Sequence, residues 1–129
     1  MISGMPMLKL PEISTMTGYQ WAVLQSSLDP AIGAEQKGTR PVLVVSNEGY
    51  NKAISNVTII PLTSTKRRLY PSEVRLAEGK AGQPLESIIM AHHVRTISKQ
   101  RLGKLFGYLD DTRLQNEVRQ AIKDHLDLE

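Results

Sequence analysis

A chain of 129 residues holds about one domain around one core, and its 40% hydrophobic and 22% charged residues exclude a disordered protein. It has no cysteine, which excludes disulfides, thiolate nucleophiles and sulfur-ligated zinc and suits a reducing, cytoplasmic address; no signal-peptide core or run of roughly 18 apolar residues points to export or to a membrane. The net charge of +3 is unevenly spread, with 12 Lys and Arg against 4 Glu between Lys37 and Lys104 and 4 against 9 acids elsewhere, a basic middle suited to phosphates.

Residues 1–18 carry Gly4, Pro6, Pro11, Gly18 and scattered Ser and Thr, and read as an irregular arm; a single domain is expected over 19–129. Trp21 and Val23 alternate with smaller or polar neighbours as a short strand does, and Leu28-Asp29-Pro30 ends it because proline cannot extend a central ladder. After the loop Ala31 to Arg40, the apolar, β-branched run Pro41 to Val45 predicts a buried strand, closed by a turn at Ser46-Asn47-Glu48-Gly49. Val57 to Ile60 repeats the pattern. Glu73 to Leu76 alternates like a half-exposed strand, Glu78 to Pro84 is turn-rich, and Ser87 to Arg95 reads as the next strand.

The last third changes period. Ser98 caps a short helical turn stopped by Gly103, and Thr112 precedes a helix in which Leu114, Val118, Ala121, Ile122 and Leu126 recur at helical spacing. Thr112 and Gln115 have capping-box spacing. Short strands followed by one amphipathic helix predict a mainly β fold, a small curled sheet or barrel with the helix packed on it.

Of the three histidines, His92 and His93 are adjacent, and a strand would turn them to opposite faces, so they do not share a metal. His125 lies near the apolar stripe of the last helix and reads as a partly buried structural residue. Neither a P-loop nor a nucleophile elbow is present. The residues therefore offer no metal site and no cofactor site.

The stretch Leu28 to Asn47, LDPAIGAEQKGTRPVLVVSN, resembles the MazF/PemK toxin signature: an L/F-x-P turn, a G-x-E-Q loop, and R-P-hydrophobic-V opening a strand. Asn51, Ile60-Pro61-Leu62-Thr63-Ser64, Pro71-Ser72-Glu73-Val74 and Val94 to Leu102 follow the family pattern in order, so the resemblance spans Trp21 to about Asp110. It implies an SH3-like small β-barrel, a homodimer, and metal-independent, sequence-selective cleavage of single-stranded RNA by the substrate's own 2′-hydroxyl. The products would be a 2′,3′-cyclic phosphate and a 5′-hydroxyl. A cognate antitoxin with an acidic tail over the basic groove is the implied partner.

The same resemblance places Arg40 at the catalytic arginine and Thr63 at the threonine that hydrogen-bonds the scissile phosphate. An arginine with an unperturbed pKa above about 12 is a poor proton donor, so charge stabilisation is its expected role. Gly33, Glu35 and Gln36 fall in the loop that lines the RNA groove, and Ser64, Lys66 and Arg67 in a basic segment suited to the RNA backbone. Arg95 either meets phosphate or pins its strand.

Two departures stand out. Relatives carry an acidic residue and Gln just before the later V/I-R-T block, whereas this chain has His92 and His93; His92 is the candidate proton carrier and His93 a candidate base contact. Relatives also open the first strand with R-G-D/E, where this chain reads Tyr19-Gln20-Trp21-Ala22-Val23. The alternative readings are a same-fold topoisomerase poison of the CcdB type and an inactive RNA-binding homologue.

Overall fold

The computed structural model describes residues 17–129, so the expected arm over 1–18 lies almost wholly outside the described residues. Seven strands, β1 (Ala22–Ser27), β2 (Thr39–Val44), β3 (Asn56–Thr63), β4 (Glu73–Leu76), β5 (Ser87–Met90), β6 (Arg95–Ser98) and β7 (Leu102–Tyr108), form one sheet in the order β4-β5-β3-β2-β1-β7, with β6 paired to β3. A short helix α1 (Glu48–Ala53) follows β2, and α2 (Thr112–Leu126) closes the chain. Every pairing is antiparallel. The protein is thus mainly β with a C-terminal helix, as expected, and its sheet curls like a small barrel without closing.

The curl comes from β3, which changes partner along its length. Asn56 to Ile59 pair with β6, and Leu62 and Thr63 pair with β5. Pro61 stands at the change, paired on its other side with Val42 of β2. Proline has no N–H to give a ladder, and here neither β5 nor β6 asks for one. Between the two partners the chain folds into a 3₁₀ turn at Ala91–His93, which breaks the expected continuous strand Ser87 to Arg95.

Successive side chains of a strand face opposite ways, so an apolar run buried on both sides requires a cover on each face. One face buries Leu24, Val42, Val44, Val57, Ile59 and Ile97; the other buries Val23, Leu43, Ile60, Leu62, Val74, Ile89 and the α2 residues Leu114, Val118 and Ala121. Each such aliphatic side chain contributes about 1.5–3 kcal/mol on leaving water.

Three local expectations change. The expected turn at Ser46 to Gly49 is the start of α1, capped by Asn47, whose Oδ1 accepts from the Tyr50 N–H at 2.8 Å. The helical turn after Ser98 forms, with Ser98 Oγ accepting from the Gln100 N–H at 3.1 Å, but the chain then runs straight into β7. Asp111 caps α2 in place of Thr112, accepting from the Leu114 N–H, while Gln115 donates to the Leu109 carbonyl at 2.8 Å. A charged carboxylate suits the positive end of a helix better than a hydroxyl, which accounts for the shift. Leu126, expected in the buried stripe, is 50% exposed.

Candidate active site

Arg40, second in β2 after Thr39, pairs with Ser26 of β1. Extending the Val42–Pro61 register by two places sets Arg40 across from Thr63, and both line a cavity of about 400 Å³ with Ser64, Thr65, Gln83 and Leu85. Arg40 Nε donates to the Lys37 carbonyl at 3.1 Å. Among the described residues no carboxylate pairs with Arg40, so its terminal nitrogens remain for a ligand. Thr63 Oγ1 accepts from the Thr65 N–H at 3.2 Å and lies 3.1 Å from the Thr65 hydroxyl. An anion entering the cavity would compete with Thr65 for that hydroxyl proton.

A second cavity, of about 460 Å³, opens where β3 changes partner and is lined by Leu28, Pro30, Glu35, Gln36, Pro61, His92, His93, Val94 and Arg95. Its loop wall is held by backbone. Glu35 Oε1 accepts from the Ile32 N–H at 2.7 Å, Asp29 Oδ1 from the Gly38 N–H at 3.0 Å, and Leu28 N–H donates to the Gly38 carbonyl at 2.9 Å. Arg95 donates to the Leu28 carbonyl at 3.4 Å and Arg101 to those of Ser27 and Asp29, at 3.3 and 2.5 Å. Arg95 thus reaches from β6 to the backbone at the start of this loop.

The candidate residues divide accordingly. Arg40, Thr63 and Ser64 share one cavity, and Glu35, Gln36, His92, His93 and Arg95 share the other. Gly33 sits at the loop tip with φ +60° and Lys66 is exposed; neither lines a cavity described here. Arg67 is committed elsewhere, its guanidinium clasping Glu73 through Nη1–Oε1 at 2.8 Å and Nη2–Oε2 at 2.9 Å.

The histidines also differ from expectation. Because Ala91–His93 is a turn and not a strand, the His92 and His93 rings lie side by side, with centroids 4.4 Å apart. His125 is exposed, and its ring stands 6.3 Å from that of His92. Among the described residues no three His, Asp or Glu side chains are grouped to hold a metal ion. Burial holds His93 below the ordinary histidine range, with His92, Arg40 and Arg67 pushing the same way and Glu73 opposing them.

Glu73 is the residue that sequence reasoning missed. Its side chain is wholly buried, accepts from Arg67 and from the Tyr70 N–H at 2.7 Å, and lies 2.8 Å from His92 Nε2. Burial pushes its pKa up, but hydrogen bonds from Arg67, His92 and the Tyr70 backbone outweigh it and bring it to about 2. Strand alternation marked Glu73 only as an exposed position. Gln83, buried in the wall of the Arg40 cavity, gave no signal in its turn-rich segment.

The profile of the PemK-like, MazF-like toxin of type II toxin-antitoxin system matches residues 19–126. The chain is 32% identical over 111 residues to the endoribonuclease MazF9 of Mycobacterium tuberculosis, covering 82% of this chain and 93% of that protein. It is 32% identical over 104 residues to the endoribonuclease EndoA of Bacillus subtilis, covering 80% and 89%. Its fold matches the Mycobacterium tuberculosis toxin MazF-mt6 with a TM-score of 0.70 at 28% identity, over 84% of this chain and 98% of that one. It also matches a mycobacterial endoribonuclease in complex with its cognate antitoxin, with a TM-score of 0.70 at 26% identity, over 85% and 95%.

Proposed function

This chain belongs to the PemK-like, MazF-like toxins of type II toxin-antitoxin systems, and from that premise we propose that its 19–129 domain is a sequence-selective endoribonuclease acting on single-stranded RNA. The observation that carries the reading is the cavity in which Arg40, paired with no carboxylate among the described residues, stands beside Thr63.

The reaction that fits needs no nucleophile from the protein. The substrate's 2′-oxygen attacks the adjacent phosphorus, the bond from phosphorus to the 5′-oxygen breaks, and a 2′,3′-cyclic phosphate and a 5′-hydroxyl result. One proton leaves the 2′-hydroxyl and one is delivered to the 5′-oxygen. Arg40 holds the non-bridging oxygens through its planar fork, each charge-assisted bond contributing about 1.5–3 kcal/mol, and Thr63 adds a hydroxyl donor. His92 takes the 2′-proton, in the place where relatives carry an acid. Glu35, Gln36 and His93 line the second cavity and meet bases, while Ser64 and Lys66 meet the backbone.

A cognate antitoxin presenting an acidic segment is the partner this basic groove suits, and Leu85, 61% exposed on the rim of the Arg40 cavity, offers an apolar contact beside it. We read the active form as a homodimer at work in the cytoplasm. Among the described residues no helix is long and apolar enough to cross a membrane.

Incubating the purified protein with a mixed RNA in EDTA, then mapping 5′-hydroxyl ends, tests this reading. Cuts at a short recurring sequence are expected. Binding without cuts would indicate an inactive RNA-binding homologue, and neither binding nor cuts a toxin of the topoisomerase-poison kind.

A further inference from the structure

We propose that Glu73 is the positioning residue for His92, fixing its imidazole with the proton on Nε2 and the lone pair on Nδ1. The inference rests on the ribonuclease reading for its consequence, though not for its geometry.

The argument begins with the four bonds on one carboxylate. Oε1 accepts from Arg67 Nη1 at 2.8 Å and from the Tyr70 N–H at 2.7 Å; Oε2 accepts from Arg67 Nη2 at 2.9 Å and faces His92 Nε2 at 2.8 Å. A carboxylate has about four lone-pair positions, and three are filled by groups that can only donate. With its side chain wholly buried against a bidentate guanidinium, the group is ionised, and it has no proton to give. The contact at 2.8 Å is therefore an Nε2–H donated by His92.

Which ring nitrogen carries the proton is set by the hydrogen bond the other makes. A neutral His92 bound in this way keeps Nδ1 as its acceptor, the form a general base requires. The remaining groups around the ring do not compete for Nε2. His93 of the same turn and His125 of α2 approach as rings, Tyr70 meets His92 edge-on with centroids 6.4 Å apart, and Arg67, stacked 4.2 Å over Tyr70, spends its charge on Glu73. The Glu73 carboxylate is held by its bonds to Arg67 and the Tyr70 N–H, and its backbone is fixed by the pairing of β4 with Met90 of β5 and by the Ala91 N–H, which donates to the Ser72 carbonyl at 3.0 Å. The turn carrying His92 and the strand carrying Glu73 are thereby locked as one unit. An acid absent at position 92 itself thus reaches the site from 19 residues away, through the imidazole.

Two measurements decide this. Nitrogen-15 NMR of the wild-type protein is expected to show the neutral His92 ring protonated on Nε2. A ring protonated on Nδ1, or exchanging between the two forms, overturns the proposal whether or not the protein cuts RNA. In single-turnover cleavage, Glu73→Gln is expected to turn an amide N–H toward the ring, invert the tautomer and lose about 10²-fold, yet lose less than about twofold when introduced into His92→Gln. An equal loss in both backgrounds, or a His92→Gln protein cutting at the wild-type rate, overturns it. A wild-type protein that cuts no RNA ends the ribonuclease reading alone and leaves the NMR result to decide the tautomer.

Discussion

Arg40 is tethered through its Nε, which donates to the Lys37 carbonyl at 3.1 Å; among the described residues no ion pair engages the two terminal nitrogens, which are left for an anion in the cavity shared with Thr63. Arg40→Ala is expected to lower single-turnover RNA cleavage by about 10²–10³-fold, the usual effect of removing one donor from a developing oxyanion. Arg40→Lys is expected to restore little, since an ammonium lacks the fork. Because no carboxylate among the described residues pairs with Arg40, both variants should melt within about 0.5 kcal/mol of the wild type. An unchanged cleavage rate in Arg40→Ala would remove the residue from the mechanism.

Among the described residues the Thr63 hydroxyl bonds within its own turn, to Thr65. Thr63→Val, which keeps the branched shape and loses the oxygen, is expected to cut RNA about tenfold more slowly, with little change in stability on a denaturant curve. Thr63→Ser should retain the activity.

Stability should depend on acid pH through Glu73. Its folded-state pKa lies at about 2, below the ordinary value of 4.5, so protons bind the unfolded chain more tightly and oppose folding. The contribution, roughly 3 kcal/mol by linkage, is fully present above about pH 4.5. It is lost as the pH falls from there through about 2. Denaturant midpoints measured between pH 6 and pH 2 should fall for the wild type and flatten over that window in Glu73→Gln.

Lys66 and Arg67 are neighbours in sequence with opposite expected behaviour. Lys66 is exposed, and Lys66→Ala is expected to weaken RNA binding uniformly and reduce the slope of log affinity against log salt by about 0.7. Arg67 holds the buried Glu73 carboxylate, so Arg67→Ala, which leaves that charge without its guanidinium, is expected to lower stability, read from chemical denaturation.

Gly82 sits at φ +73°, and a Cβ there would lie 2.1 Å from the Phe106 carbonyl oxygen of β7. That atom belongs to a strand backbone and cannot give way as a side chain would. Gly82→Ala is expected to destabilise the fold by about 2 kcal/mol or more, seen as a lowered Tm.

What the amino-acid order determined by itself is whatever depends on near neighbours. The two-faced apolar runs Val42 to Val44 and Val57 to Ile60, the stripe Leu114, Val118 and Ala121, and the motif residues Arg40 and Thr63 are all visible as local spacing, and the structure puts them in β2, β3, α2 and one cavity. Strand β7 was not visible, because Gly103 and Gly107 interrupt its pattern and its residues are mostly half-buried. Tertiary structure decided the rest. Only when β3 passes from β6 to β5 at Pro61 does the chain between them turn, setting His92 beside His93 and on Glu73. Alternation assigns a strand residue to a face but does not say which distant group waits there. Glu73 therefore read only as the start of a half-exposed strand until the pairing of β4 with β5 brought the turn against it, and nothing in the sequence signalled that Arg67, read as a cation for RNA, also holds that buried carboxylate.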